Sequence, residues 1–336
     1  MNQSNYILFF IVFKLQALMT INHDKYELAI IPDKLSERFQ KSKAYYQKNP
    51  DPFGLNVDKF AATFKLLLPV YENYFRVRVF GTENIQNLNR HEMFISNHTG
   101  QLPIDGLLLG MATYMHGHPH PLILRGMGER FLMGLPFLGQ FVRELGVILG
   151  DRKNCEICLE RGESVLTFPE GVRGISKSTP DFYRMQKFSY GFLRLALRFR
   201  TPLRPVVVVG AEEMYPMVWQ APQIAKLFGI PAFPITPFFP WFGPMGMLPM
   251  PAPVDIYFLP KVDLPSSLDD SAPDDELAPF VQTLHQMMQS QIEQGIKMKR
   301  PAIPLTNILK NKELKYHMSQ IWGKVKELIF HKRELS

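Results

Sequence analysis

Two cysteines in 336 residues leave no disulfide framework on which a small secreted fold could be built. They stand at Cys155 and Cys158, one turn apart in a segment, Asp151 to Arg161, that reads helical. No thioredoxin-like strand precedes them to make a redox pair. The chain also lacks zinc-finger spacing, a basic-aromatic RNA-binding signature and a basic zipper, so nucleic acid is not the expected partner. A Gly-x-Ser-x-Gly elbow is absent, which argues against an α/β-hydrolase lipase. His116, His118 and His120 alternate in a Gly/Pro loop, but no carboxylate is patterned with them, so no metal is expected.

Helix-competent apolar runs long enough to cross a bilayer are missing too. The run from Tyr6 to Phe13 is interrupted by Lys14, and a spanning helix needs about 20 apolar residues. Its flanks lack the charge and small-residue pattern of a signal peptide, so it reads as a short interfacial or packing segment. Leu227 to Val254 is 28 residues without a charge, yet it holds eight prolines, which no helix sustains. This is an irregular apolar segment, one that wraps the core or meets a membrane or alkyl chain.

What is present is 46% hydrophobic and 21% charged, enough for one large or two small domains with a real core. The net charge of +7 favours anionic partners such as phosphorylated small molecules or anionic lipid. Helices are predicted over 33–49, 56–70, 137–145, 188–199 and 274–294. A basic amphipathic helix over 307–334 reads as a membrane-surface element or a solvated lid. Strands are predicted over 75–80, 92–96, 121–124, 146–149, 164–168, 204–209 and 254–259. Strands alternating with helices at this spacing predict an α/β core with a mostly parallel sheet flanked by helices. The expected organisation is an N-terminal helical, membrane-proximal segment (1–72), a catalytic domain (73–265) and a C-terminal helical region (266–336).

The pattern converges on Met93–Gly106. A short apolar strand breaks at Ser96-Asn97-His98, a turn with Gly100 and Pro103 follows, and Asp105 opens an apolar helix. A histidine at a strand's carboxyl edge with a carboxylate downstream fits a general-base pair, the carboxylate holding one tautomer while the other nitrogen takes a proton. The plainer alternative is a turn in which Asn97 and His98 satisfy backbone groups and Asp105 caps the helix. Phe168-Pro169-Glu170-Gly171-Val172-Arg173 follows a second strand, its carboxylate and arginine suited to an acceptor's hydroxyls and phosphate. Gly146-Val-Ile-Leu-Gly150-Asp151-Arg152 is another strand-end turn with an arginine, and Pro205–Val209 leads into Gly210-Ala211-Glu212-Glu213. Lys177, Arg184 and Lys187 are further candidates for a phosphate, or else a solvated basic face; Arg125 is one as well, or a structural ion pair.

In this order the blocks resemble the glycerolipid acyltransferase family, the lysophosphatidic-acid and glycerol-3-phosphate acyltransferases, over about residues 75–260. Phe-Pro-Glu-Gly is the most specific part. The resemblance implies His98 as general base on the acceptor hydroxyl and Asp105 as its orienting carboxylate. It also implies Glu170, Gly171 and Arg173 as acceptor-binding residues, with Arg152 assisting at the phosphate. Six residues separate His98 from Asp105 where the family's usual spacing is four, and this longer form resembles the monoacylglycerol and diacylglycerol acyltransferase-like members. Valine stands at 172 where many members carry threonine.

The expected activity is transfer of a fatty acyl group from acyl-CoA or acyl-carrier protein to a hydroxyl of a lysophospholipid or related glycerolipid. No cofactor is expected beyond that donor as co-substrate, because a thioester is already activated. The expected setting is a membrane surface, peripheral or monotopic, on the cytoplasmic face. The alternatives are a neutral acceptor (monoacylglycerol, diacylglycerol or a long-chain alcohol) and a non-catalytic lipid-binding scaffold.

Overall fold

The computed structural model describes residues 33–86, 92–99, 104–117, 123–135, 138–175, 177, 179–216, 219–220, 234–236 and 248–298. The predicted elements over 6–13 and 307–334, His118, His120 and most of 227–254 lie outside them.

Two helices come first, α1 (Asp33–Lys48) and α2 (Val57–Pro69). The core follows as β1 (Arg78–Phe80), β2 (Met93–Ser96), α3 (Ile104–His116), β3 (Arg125–Gly128), α4 (Arg130–Gly134), α5 (Leu138–Glu144) and β4 (Ile148–Leu149). Then come α6 (Arg152–Glu160), β5 (Val165–Thr167), α7 (Val172–Ile175), α8 (Gly191–Phe199) and β6 (Leu203–Val209). A small hairpin of β7 (Trp219–Gln220) and β8 (Pro234–Ile235) precedes β9 (Asp255–Phe258) and α9 (Asp274–Lys297).

Seven strands form the main sheet in the order β1-β9-β6-β2-β5-β3-β4. All neighbours are parallel except β6 and β9, so the predicted mostly parallel sheet is present. Every residue of β2, β6 and β9 is buried, as a central strand covered on both faces requires.

Alternation along the strands divides the core in two. Phe94, Leu166, Val206, Val208, Ile256 and Phe258 pack with Phe39 of α1, Phe64 and Leu68 of α2, and Leu108 and Met111 of α3. Met93, Ile95, Val165, Val207 and Val209 face the other way, onto Cys158 of α6, Leu193 and Leu197 of α8, and Val281, Leu284 and Met288 of α9. The result is a helix–sheet–helix sandwich. Residues 33–74 share the first of these cores with the sheet rather than standing apart from it.

Two predicted strands are placed differently. The strand expected over 75–80 begins only at Arg78, because Arg76 takes a left-handed φ of 45° and bends the chain first. The strand expected over 121–124 is instead Arg125–Gly128, so Arg125 opens a strand rather than closing one. Glycines at 126 and 128 hid it. At Gly128 the space is taken by Val147: a Cβ there would sit 2.8 Å from Val147 Cγ1, whereas one on Gly126 would make ordinary contact at 3.6 Å. Among the described residues no helix is long and apolar enough to cross a membrane.

Candidate active site

Three neighbouring parallel strands, β6, β2 and β5, end on the same edge of the sheet. The residues just past those ends are Gly210–Glu212, Asn97–Thr99 and Phe168–Glu170. Sheet topology alone therefore gathers chain segments more than a hundred residues apart, in the crevice where open α/β sheets bind ligands.

Asn97 fixes the turn after β2. Its side-chain amide donates to Val208 O at 2.8 Å, and its Oδ1 accepts from Val208 N at 2.8 Å, so it extends the β2–β6 pairing through a side chain. His98 follows. Its Nδ1 lies 2.7 Å from Asp105 Oδ2, and the same oxygen accepts the backbone N–H of Thr99 at 2.7 Å. An oxygen already accepting one N–H makes Nδ1 the donor, which leaves Nε2 of the neutral imidazole with its lone pair. The six-residue spacing thus still closes a histidine–aspartate pair, with Asp105 fully buried in the first turn of α3.

The imidazole is held on its flanks as well. Phe168 stacks on it with ring centres 4.1 Å apart and planes 19° from parallel. Gly174 in α7 backs it closely: a Cβ there would be 2.7 Å from His98 Cβ and 3.0 Å from Glu170 Cβ.

Glu170 is buried, and both of its oxygens accept backbone N–H groups. His98 N donates to Oε1 at 2.9 Å and Gln186 N to Oε2 at 2.6 Å. Lys177 Nζ stands 3.8 Å from Glu170 Oε2 and 3.1 Å from Glu212 Oε1, which also accepts Tyr183 N at 3.1 Å. Burial pulls the Lys177 ammonium down, but Glu212 and Glu170 outweigh it, and the group lies above the ordinary lysine value.

The other predicted residues fall in several places. Gly171 takes a left-handed φ of 57° and closes the turn through its N–H on Phe168 O at 2.9 Å. Arg173 is exposed and donates to Lys187 O at 3.0 Å, tying the loop that carries Arg184 and Lys187 to this turn. Arg184 and Lys187 are exposed beside it. Lys177 is not on an open face; its side chain is 3% exposed between two carboxylates. Arg152 opens α6, and its guanidinium turns to Glu156 at 2.9 Å and Asp270 at 3.9 Å, apart from the His98 group.

Arg125 is a correction. It pairs in register with Val165, as Met93 does, and therefore sits at the amino edge of the sheet, opposite His98. There it is fully buried on Asp51 at 2.8 Å and Glu163 at 3.4 Å, a structural ion pair. The cysteines are buried and free in α6, and burial pushes both thiols up to about 12, which removes any reactive thiolate. Among the described residues no group of His, Cys, Asp and Glu is arranged to hold a metal ion.

Thr99, Gly174, Glu212 and the ring of Phe168 carried no expected role, whereas Asn97 satisfies backbone groups as its place in the turn suggested. Glu212 had a signal, a carboxylate directly after a buried strand and its terminal glycine. Gly174 had none, since its need arises only once His98 and Glu170 face it.

A mostly parallel α/β sheet with a histidine–carboxylate pair at its carboxyl edge is the class that fold and site define. Residues 76–209 match the family described as Acyltransferase. It is 38% identical over 210 residues to the uncharacterized protein Rv0502 of Mycobacterium tuberculosis, covering 62% of this chain and 58% of that one. It is 24% identical over 206 residues to a DGAT1/2-independent enzyme synthesizing storage lipids from Gallus gallus, covering 58% of each. A chloroplastic 1-acyl-sn-glycerol-3-phosphate acyltransferase, LPAT1 of Arabidopsis thaliana, is 24% identical over 177 residues, 49% of this chain and 45% of that one. The chain thus spans less than two thirds of the length of each of these relatives.

Proposed function

We propose that this protein is an O-acyltransferase that moves a fatty acyl group from an acyl thioester, acyl-CoA or acyl-carrier protein, onto a hydroxyl of a lysophospholipid or related glycerolipid. The carrying observation is the 2.7 Å contact of His98 Nδ1 with Asp105 Oδ2, on an imidazole whose backbone N–H is itself held by Glu170. Nε2 takes the proton of the acceptor hydroxyl as its oxygen attacks the thioester carbonyl. The C–S bond then breaks, the thiolate leaves, and the imidazolium returns the proton to it. Asp105 steadies the imidazolium while it exists. No covalent acyl-enzyme is needed, because the thioester supplies the activated carbonyl. The glycerolipid acceptor also suits the Arabidopsis relative, whose name specifies a 1-acyl-glycerol phosphate.

Exposed Arg173, with Arg184 and Lys187 on the loop it ties down, is the cationic group we assign to an acceptor phosphate. A second reading, a neutral acceptor such as monoacylglycerol or diacylglycerol, draws on the positions of the other cations. Arg152 is ion-paired elsewhere, Lys177 is buried, and Arg125 lies at the opposite edge. The storage-lipid relative points the same way. Because either acceptor resides in a bilayer, we read the protein as working at a membrane surface on the cytoplasmic face.

The test is product identification by mass spectrometry after incubating the purified protein with acyl-CoA or acyl-carrier protein and vesicles carrying either lysophosphatidic acid or monoacylglycerol. Acylation of the phosphorylated acceptor, with KM raised by Arg173→Met, supports the first reading. Acylation of the neutral acceptor alone, insensitive to that substitution, replaces it with the second. No acylated product with either donor defeats both.

A further inference from the structure

We propose that Lys177 is a positioning residue for His98, acting through Glu170, and not a ligand for the acceptor. The inference rests on the general-base reading of His98 given above. Lys177 is a buried cation between Glu170 and Glu212, which follow two different strands, β5 and β6. The strand between them, β2, carries His98. The lysine therefore lies within a group that spans three strand ends, with no exposed face to offer a substrate.

What it does follows from how Glu170 is used. Both Glu170 oxygens accept a backbone N–H, one from His98 and one from Gln186. Two N–H donors call for two acceptor oxygens, and a carboxylate offers both where a neutral amide in its place would offer one. Holding a carboxylate ionised away from water is costly unless a cation stands beside it. Among the described residues Lys177 is the cation paired with Glu170, and it also separates Glu170 from the second buried carboxylate, Glu212. Remove the lysine, and the two buried carboxylates face each other with no cation between them. Glu170 then takes a proton or swings away, and either event releases the backbone at His98. The imidazole loses its alignment although nothing in the His98–Asp105 pair has changed.

The experiment compares the wild-type chain with Lys177→Met and with Lys177→Met/Glu212→Gln. The double variant removes the unpaired charge on Glu212, so it folds even where the single one does not. Two readouts are taken: amide hydrogen exchange by mass spectrometry over the peptides holding His98 and Gln186, and kcat and acceptor KM. The expected result is that the double variant melts close to wild type. Its His98 and Gln186 amides exchange roughly tenfold or more faster. Its kcat falls at least about tenfold while acceptor KM stays within about twofold. Restored amide protection and kcat in the double variant would overturn the proposal, leaving Lys177 as a counter-ion for Glu212 alone. A raised KM with unchanged kcat and exchange would overturn it differently, by making Lys177 a binding group. If the wild-type protein transfers no acyl group, the acyltransferase reading falls, and the exchange measurement still decides what Lys177 holds.

Discussion

The backbone N–H of His98 donates to Oε1 of Glu170 at 2.9 Å, so the proposed base is fixed through its main chain by a residue that follows a different strand. The other Glu170 oxygen accepts Gln186 N at 2.6 Å. A neutral isostere cannot serve both donors, because its NH2 group would face an N–H. Glu170→Gln is therefore expected to lower kcat by roughly 10–100-fold, the equivalent of about 1–3 kcal/mol for a buried group left without its partner. Steady-state kinetics beside a melting curve checks this; a variant as active as wild type would show that the main-chain hold on His98 is dispensable.

Gly174 supports a sharper prediction. A methyl group there would meet His98 Cβ at 2.7 Å and Glu170 Cβ at 3.0 Å, and both are fixed by buried hydrogen bonds. Gly174→Ala adds the smallest side chain to a short helix, where alanine is locally the better residue. The expected outcome is a folded protein whose kcat drops by about 100-fold, the scale expected for a shift of the order of 1 Å in the base. Retained activity would mean that α7 yields without moving His98.

Arg125 tests stability rather than chemistry. It is fully buried between Asp51 and Glu163 at the amino edge of the sheet. Arg125→Leu leaves two buried carboxylates without that cation and is expected to destabilise by about 3–5 kcal/mol in urea unfolding. Activity per folded molecule is expected to be unchanged, since the residue lies across the sheet from His98. A specific loss of acceptor affinity would contradict the placement.

The two cysteines give a pH prediction. Burial raises each thiol from 9.0 to about 12. A raised value means that the folded chain binds the proton more tightly than the unfolded one. The associated stability is complete below about pH 9 and is lost as pH climbs towards 12. Denaturant midpoints are expected to fall across that interval, and Cys155→Ala/Cys158→Ala to reduce the slope. Native protein at pH 8 should react with a thiol reagent only as fast as it opens. Rapid labelling of both thiols would refute their burial.

Much of the fold was legible because its strands are written plainly. Met93–Ser96 and Leu203–Val209 are apolar throughout, as strands covered on both faces must be, and their flanking turns carry Asn97-His98 and Gly210. The histidine, its aspartate and Glu170 could be read from strand-end position and motif. The strand at Arg125 could not, since Arg-Gly-Met-Gly has little strand propensity and is held by its pairing with β4 and β5. Lys177 misled for a related reason. In sequence it stands in a basic stretch, and the carboxylates that bury it, Glu170 and Glu212, arrive from the ends of two other strands. Arg152 needed less: Glu156 stands four residues on along the same helix, and that pairing was visible in the spacing.

In the proposed reaction the His98–Asp105 pair activates an acceptor hydroxyl. The most direct measurement is acceptor-dependent thiol release from acyl-CoA or acyl-carrier protein by wild type, His98→Ala and Asp105→Asn. Release is expected to require an acceptor, to be abolished in His98→Ala, and to fall by roughly 10²–10⁴-fold in Asp105→Asn, with all three proteins equally folded. Release of the same rate without an acceptor, or full activity in His98→Ala, would contradict that role.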